Sequence, residues 1–252
     1  MLRLEHISKT FQLGSEPILR DLSLELKESE FTILIGGNGS GKSTLLKIVQ
    51  GEHKPDSGRV LLKGTDLTPM SLHRRAEFIS TVSQDVHSGT VKELTLLENL
   101  ALSFRRGQPA SLQSVESKRK ECERQIRTLG LGLEKFLDMP LVSLSGGRKQ
   151  MVALVMATAL KPSLLLLDEH CSALDPKSSQ SLMAYTDRVI RTNGLTTLMV
   201  THSLSDALRY GDRLVMLREG QIILDASGNE KAALNLQSLL NLYHHYEDSS
   251  LL

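Results

Sequence analysis

Gly36, Gly37, Asn38, Gly39, Ser40, Gly41, Lys42 and Ser43 fit the spacing G-x-x-x-x-G-K-[ST]. The apolar run Phe31 to Ile35 precedes them, and a helical pattern, Lys42 to Val49, carries Thr44 into its first turn. Glycines at these spacings let the backbone close around an anion, and the new helix adds its positive end, so the segment reads as a phosphate cradle. Lys42 is placed to bridge the β- and γ-phosphates of a nucleotide, and the Ser43 hydroxyl to ligate Mg²⁺. A second constellation lies where Leu164 to Leu167 run into Asp168 and Glu169. Carboxylates at the end of a buried strand sit where open α/β sheets bind ligands. Asp168 reads as a holder of Mg²⁺ through its water shell, and Glu169 as the base for the water that attacks the γ-phosphate.

A third stretch, Leu144-Ser145-Gly146-Gly147-Arg148-Lys149-Gln150, opens a helix whose N-terminus is free to receive an anion. Taken alone, Ser-Gly-Gly is a common way to begin a helix. Beside a phosphate loop it suggests a site that closes on the phosphate from the opposite side.

The elements that must position these groups follow a strand, loop, helix rhythm. Continuous apolar runs at Phe31 to Ile35, Leu164 to Leu167 and Leu198 to Val200 read as buried parallel strands. Alternating segments at Leu2 to His6, Leu22 to Leu26, Val60 to Leu62, Leu214 to Leu217 and Ile222 to Leu224 read as half-buried antiparallel strands. Helical patterns occupy Lys149 to Leu160 and Ser178 to Arg191. Between Gln84 and Leu144 the strand signals fade. There Val115, Cys122, Ile126 and Leu129 mark an amphipathic helix over Glu116 to Leu129, after an exposed loop at Arg105 to Ser114. The basic run Lys118, Arg119, Lys120 reads as a solvated helix face.

Composition narrows the class. The 252 residues carry 30 Lys plus Arg against 29 Asp plus Glu, a formal net charge of +1, with no Trp, five Phe and four Tyr. Neither an attracting field nor a stacking platform for nucleic acid is present, so nucleic acid is not an expected partner. Cys122 and Cys171 form no metal or disulfide spacing, which fits a reducing compartment. No apolar run approaches the roughly 20 residues of a membrane span, nor the apolar stretch of a signal peptide, so any membrane association is expected to be peripheral.

In their order along the chain, the phosphate loop, Gln84, LSGGRKQ, LLLLDE, Ser172-Ala173-Leu174-Asp175 and His202 resemble the ATP-binding cassette of ABC transporters. The resemblance spans roughly Leu2 to Lys231. It implies a P-loop NTPase of the α/β class with a RecA-like core, an antiparallel β subdomain and a helical subdomain at about 85–147. Residues 1–231 would form one ATPase domain and 232–252 a C-terminal helical extension. It further implies ATP and Mg²⁺ as ligands, and a head-to-tail dimer in which Ser145, Gly146 and Gly147 of one copy cap the phosphate held by Lys42 of the other. By the same resemblance Phe11 stacks on adenine, Gln84 reaches Mg²⁺ and the attacking water, His202 contacts the γ-phosphate, and Asp175 lies at the dimer seam.

This chain departs from the family pattern at Arg148 and Lys149, where Gln and Arg are usual, and at Ser29, where Gly is common; Ser29 is expected to cost a few tenths of a kcal/mol if its φ is positive. A finer resemblance, carried by MATALKPSLLLLDEHCSALDPK and the segment Leu195 to Lys231, is to ATPase subunits of bacterial importers with a branched-chain-amino-acid-type permease and a tryptophan/tyrosine-type binding lipoprotein. It implies a peripheral ATPase on the cytoplasmic face of the inner membrane, serving import of an amino acid or similar small solute. A soluble ABC ATPase that drives assembly of a complex, as in iron–sulfur assembly, stays open as the alternative. His170, His244 and His245 have no context that suggests a role.

Overall fold

The computed structural model describes residues 1–12, 15–85, 89–105 and 114–244. Among the described residues ten strands form two sheets. Strands β1 (Leu2–Lys9), β2 (Leu19–Leu26), β4 (Ser57–Leu62) and β5 (Thr65–Asp66) make a four-stranded antiparallel sheet in the order β2-β1-β4-β5. Strands β3 (Phe31–Ile35), β6 (Ile79–Val82), β7 (Leu164–Asp168), β8 (Thr197–Val200), β9 (Arg213–Arg218) and β10 (Gln221–Ser227) make the second, in the order β10-β9-β3-β8-β7-β6. Its strands are parallel except for β10, which closes the edge as a hairpin on β9.

The apolar runs are continuous because both faces of this second sheet are covered. Ile33, Ile35, Leu165, Leu167, Met199, Leu214 and Met216 point into one core, shared with the helices α3 (Leu96–Ser103), α4 (Arg119–Arg127), α5 (Gly146–Thr158), α6 (Pro176–Asn193), α7 (Leu204–Arg209) and α9 (Leu236–His244). Their alternates Leu34, Leu164, Leu166, Leu198, Val200, Val215 and Leu217 point into the other, where α1 (Lys42–Gln50) meets the antiparallel sheet through Leu45, Leu46, Ile48 and Val49. The run Leu214 to Leu217 therefore differs from its expectation. It is fully buried and pairs parallel with β3 on one side and antiparallel with β10 on the other.

The segment after Gln84 is helical, in shorter pieces than its periodicity predicts. A 3-10 turn at Val115–Lys118 leads into α4, so the amphipathic helix is broken at its start. Cys122 and Ile126 are buried in it, whereas Val115 is exposed. Arg119, from the basic run, is held by Glu116 and Asp138. Thr95 and Glu98 form a capping box that fixes the start of α3. Most of the loop expected at Arg105 to Ser114 lies outside the described residues, as do the side chain of His244 and the whole of His245.

Three side chains fasten these elements to one another. Arg75, at the end of the short helix α2 (Leu72–Arg75), is buried with its guanidinium donating to the carbonyls of Ile48 and Val49 (2.7 and 2.8 Å), and also to those of Met70 and Thr68. It seals the C-terminal end of α1, where a cation is favoured. Ser29 does adopt a positive φ, 59°, but its hydroxyl donates to Gly194 O (2.9 Å) at the end of α6 and its N–H donates to Thr196 Oγ1 (3.0 Å). Those bonds offset the conformational cost expected of a non-glycine residue there. Helix α8 (Gly228–Ala232) is docked by Lys231, whose amine donates to the carbonyls of Tyr210 and Gly211.

Candidate functional site

Four loops leave the C-terminal ends of adjacent parallel strands. Ile35 leads into the glycine loop, Val82 into Gln84, Leu167 into Asp168 and Glu169, and Val200 into His202. The register pairs Val82 with Leu167, Asp168 with Val200 and Leu34 with Val200, which brings the four segments to one sheet edge.

The glycine loop is built for close approach. Gly36 has φ 155°, and a Cβ there would lie 2.2 Å from Leu217 O. Gly39 and Gly41 also have positive φ, 78° and 102°, but a Cβ on Gly37 or Gly39 would meet nothing within 4 Å, so this flank of the loop is open. Gly41 caps α1 without a side chain, and the first N–H to close on the helix is that of Leu45, onto Gly41 O (2.8 Å). The amides of Lys42, Ser43 and Thr44 are left for an external acceptor. Ser40 Oγ is buried without a partner among the described residues.

Lys42 is buried, and its amine donates to the carbonyls of Gly36 (2.8 Å) and Gly37 (2.9 Å). Burial lowers its pKa from the usual lysine range, and the nearby charges of Glu169 and Asp168 oppose that shift. Burial is also the first cause that raises the Asp168 pKa above the ordinary carboxylate value, with Glu169 adding to it and Lys42 opposing it. A crowded pair of carboxylates facing one amine is the charge arrangement that a divalent cation would relieve. No group of three or more His, Cys, Asp and Glu is assembled among the described residues to hold a metal unaided. Mg²⁺ fits nonetheless, since it is commonly held by one or two protein oxygens together with phosphate oxygens and water. Ser43 and Asp168 supply such oxygens.

Glu169 has φ 48° and a side chain only 18% exposed. Its Oε1 lies 2.5 Å from Nε2 of His202. Beneath this pair a recess of about 240 Å³ is lined by His170, Cys171, Ser203 and Asp206. His170 is 3% exposed and bonds Thr186 Oγ1 (3.0 Å) through Nε2, so it supports the turn after Glu169 from below. Sequence reasoning gave it no role, and nothing but its place beside Glu169 could have suggested this one.

Ser145 is the N-cap of α5, but its hydroxyl does not cap the helix; Ser145 and Gly146 are exposed and Gly147 is half-buried. A Cβ on Gly146 would touch Leu174, and one on Gly147 would lie 3.2 Å from Ser178, so this turn packs against the start of α6. Asp175 caps α6 by accepting the Ser178 N–H (3.0 Å), and the bond to Ser178 holds its carboxyl below the usual range. Arg148 stands over the Phe136 ring at 5.8 Å. Gln84 is exposed at the sheet edge. Phe11 is 50% exposed, its ring edge-on to His53 (centroids 5.1 Å apart) with the Lys9 amine 5.6 Å from its centroid.

A parallel sheet, a phosphate-cradling loop and paired carboxylates at the same edge define a P-loop nucleotide hydrolase. Residues 19–172 match the family model described as ABC transporter. The chain is 39% identical over 249 residues to a tyrosine transport ATP-binding protein of Clostridioides difficile, covering 97% of this chain and 99% of that one. It is 36% identical over 222 residues to a spermidine/putrescine import ATP-binding protein of Mesoplasma florum, covering 88% of this chain but 60% of the relative. Among solved structures, a dimeric ATP-binding cassette in a post-hydrolysis state bound to ADP and Pi superposes with a TM-score of 0.77 at 30% identity, covering 90% of this chain and 98% of that one. The chain belongs to the ABC transporter family, with the cassette fold of its ATPases and their ligands, ATP and Mg²⁺.

Proposed function

We propose that this chain is the ATP-hydrolysing subunit of an importer for an amino acid or a similar small solute, working as a homodimer beneath separate permease subunits. Near-full-length similarity to a tyrosine transport ATP-binding protein supports the amino-acid transport reading, and similarity to a spermidine/putrescine import ATP-binding protein supports the direction. Among the described residues no helix is long and apolar enough to cross a membrane, and in this reading separate permease subunits supply the membrane path. The chain would then act at the cytoplasmic face of the inner membrane, with a substrate-binding lipoprotein as an indirect partner.

In this reading residues 1–231 form the ATPase domain, with a helical subdomain at about 85–147 that receives the permease, and 232–252 form a C-terminal extension. Bound Mg²⁺ neutralises phosphate charge at the transferred group. The loop amides of Gly37, Asn38, Gly39, Ser40 and Gly41 with those of Lys42, Ser43 and Thr44 hold the phosphates, and Phe11 offers a face to adenine. Ser43, Asp168 and Gln84 would hold the metal. Glu169 takes the proton of the attacking water, and His202 orients it and the γ-phosphate. Ser145, Gly146 and Gly147 close on the partner copy's nucleotide, with Asp175 at the seam.

Affinity capture of the tagged chain from detergent-solubilised membranes, with partner identification and an ATPase assay on the eluate, tests this reading. A multi-span permease whose presence changes turnover is the expected result. Capture of soluble partners only, or none, would overturn the importer assignment in favour of an assembly ATPase.

A further inference from the structure

Gln150 is the one polar residue on the buried face of α5, among Met151, Val152, Leu154, Val155 and Ala157, and it is 1% exposed. Its Nε2 donates to Ser83 O at 2.8 Å. Ser83 directly precedes Gln84, and Gln150 lies one helical turn beyond Gly146. Because Ser83 O can only accept, this bond fixes the amide orientation and turns Oε1 elsewhere, where it has no partner among the described residues. A methionine would fill the same volume without an unpaired Oε1, at the cost of the donor to Ser83 O. Packing therefore does not account for an amide here, whereas a directed tie between α5 and the strand end does.

We infer that Gln150 is a positioning residue that binds the first turns of α5 to the backbone before Gln84, so that the Ser145 turn and Gln84 shift together. One chain thereby links the site it completes in its partner to the site it holds itself. This rests on the roles proposed above for Gln84 and Ser145. Gln150 touches neither nucleotide nor metal and acts through the placement of Gln84.

The test is a double-mutant cycle on the full-length chain, read as kcat and KM for MgATP together with thermal stability. Gln150→Met, which relieves the unpaired Oε1 but loses the bond to Ser83 O, should change the Tm little, leave KM within about twofold and lower kcat by roughly tenfold or more. Gln150→Glu, which keeps the shape but presents an acceptor to Ser83 O, should lose kcat as well. In a Gln84→Ala background, Gln150→Met should have no further effect on kcat. Wild-type kcat in Gln150→Met, or a loss that multiplies independently of Gln84→Ala, would overturn the inference while leaving the site reading intact. Wild-type kcat in Gln84→Ala would overturn the role of Gln84 itself, and this inference with it.

Discussion

Oε1 of Glu169 and Nε2 of His202 lie 2.5 Å apart at the ends of neighbouring strands, within ion-pair distance of each other. The contact ties the proposed base to the residue proposed to sense the γ-phosphate, and Glu169 makes it from a backbone of positive φ. Glu169→Gln keeps the size of the side chain but cannot take a proton. Turnover should fall by roughly 10²- to 10⁴-fold with nucleotide binding retained, and ATP should trap a dimer. Single-turnover hydrolysis and light scattering measure both; robust turnover would remove Glu169 from the role of base.

Lys42 sits buried on two carbonyls with its pKa pushed down by burial, so the side chain costs stability that the phosphates must recover. Lys42→Met should leave the Tm unchanged or higher while weakening ATP binding by roughly 10- to 100-fold. Calorimetric titration beside a melting curve separates the two effects. An unchanged ATP affinity would contradict the phosphate contact.

Two glycines of the loop should respond unequally to a single methyl group. Gly36→Ala drives a Cβ into the Leu217 carbonyl and should cost about 3 kcal/mol or more. Gly39→Ala has open space and only an unfavourable φ, worth about 1 kcal/mol. Denaturant melts of the pair provide the comparison, and equal losses would mean that the close approach at Gly36 is not rigid.

His170 gives the fold an acid sensitivity. Burial lowers its pKa from 6.5 to about 4, so between those values the unfolded chain binds a proton that the folded chain refuses. Stability is intact above pH 6.5 and falls as the pH drops toward 4, by at most about 3 kcal/mol from this residue. His170→Gln can still bond Thr186 and should flatten that part of a Tm against pH curve. An unchanged slope would assign the acid sensitivity elsewhere.

Much of this was legible in the sequence because the chemistry is local. The loop Gly36 to Ser43, the carboxylates after Leu167 and the Ser-Gly-Gly turn each lie on contiguous residues, and strand runs placed them at element ends. Contacts made at a distance were not legible. Gln150 meets Ser83 across 67 positions, and Arg75 meets Ile48 across 27. No periodicity reports a polar side chain turned inward. The misjudged strand, Leu214 to Leu217, failed for a related reason: a short apolar run is the same string whether its second neighbour is parallel or antiparallel. Ser29 shows the converse, since its positive φ was foreseeable but its bond to Gly194 was not.

The guanidinium of Arg75 sets how the molecule opens. Because it seals α1 from a helix that follows the antiparallel sheet, α1 cannot fray from its end without releasing α2 and the turns at Thr68 and Met70 as well. Amide exchange in α1 should therefore follow the slow, cooperative opening of the whole domain, while α3 and α4 exchange through smaller openings of their own. The phosphate loop would stay rigidly mounted while the helices beyond Gln84 breathe.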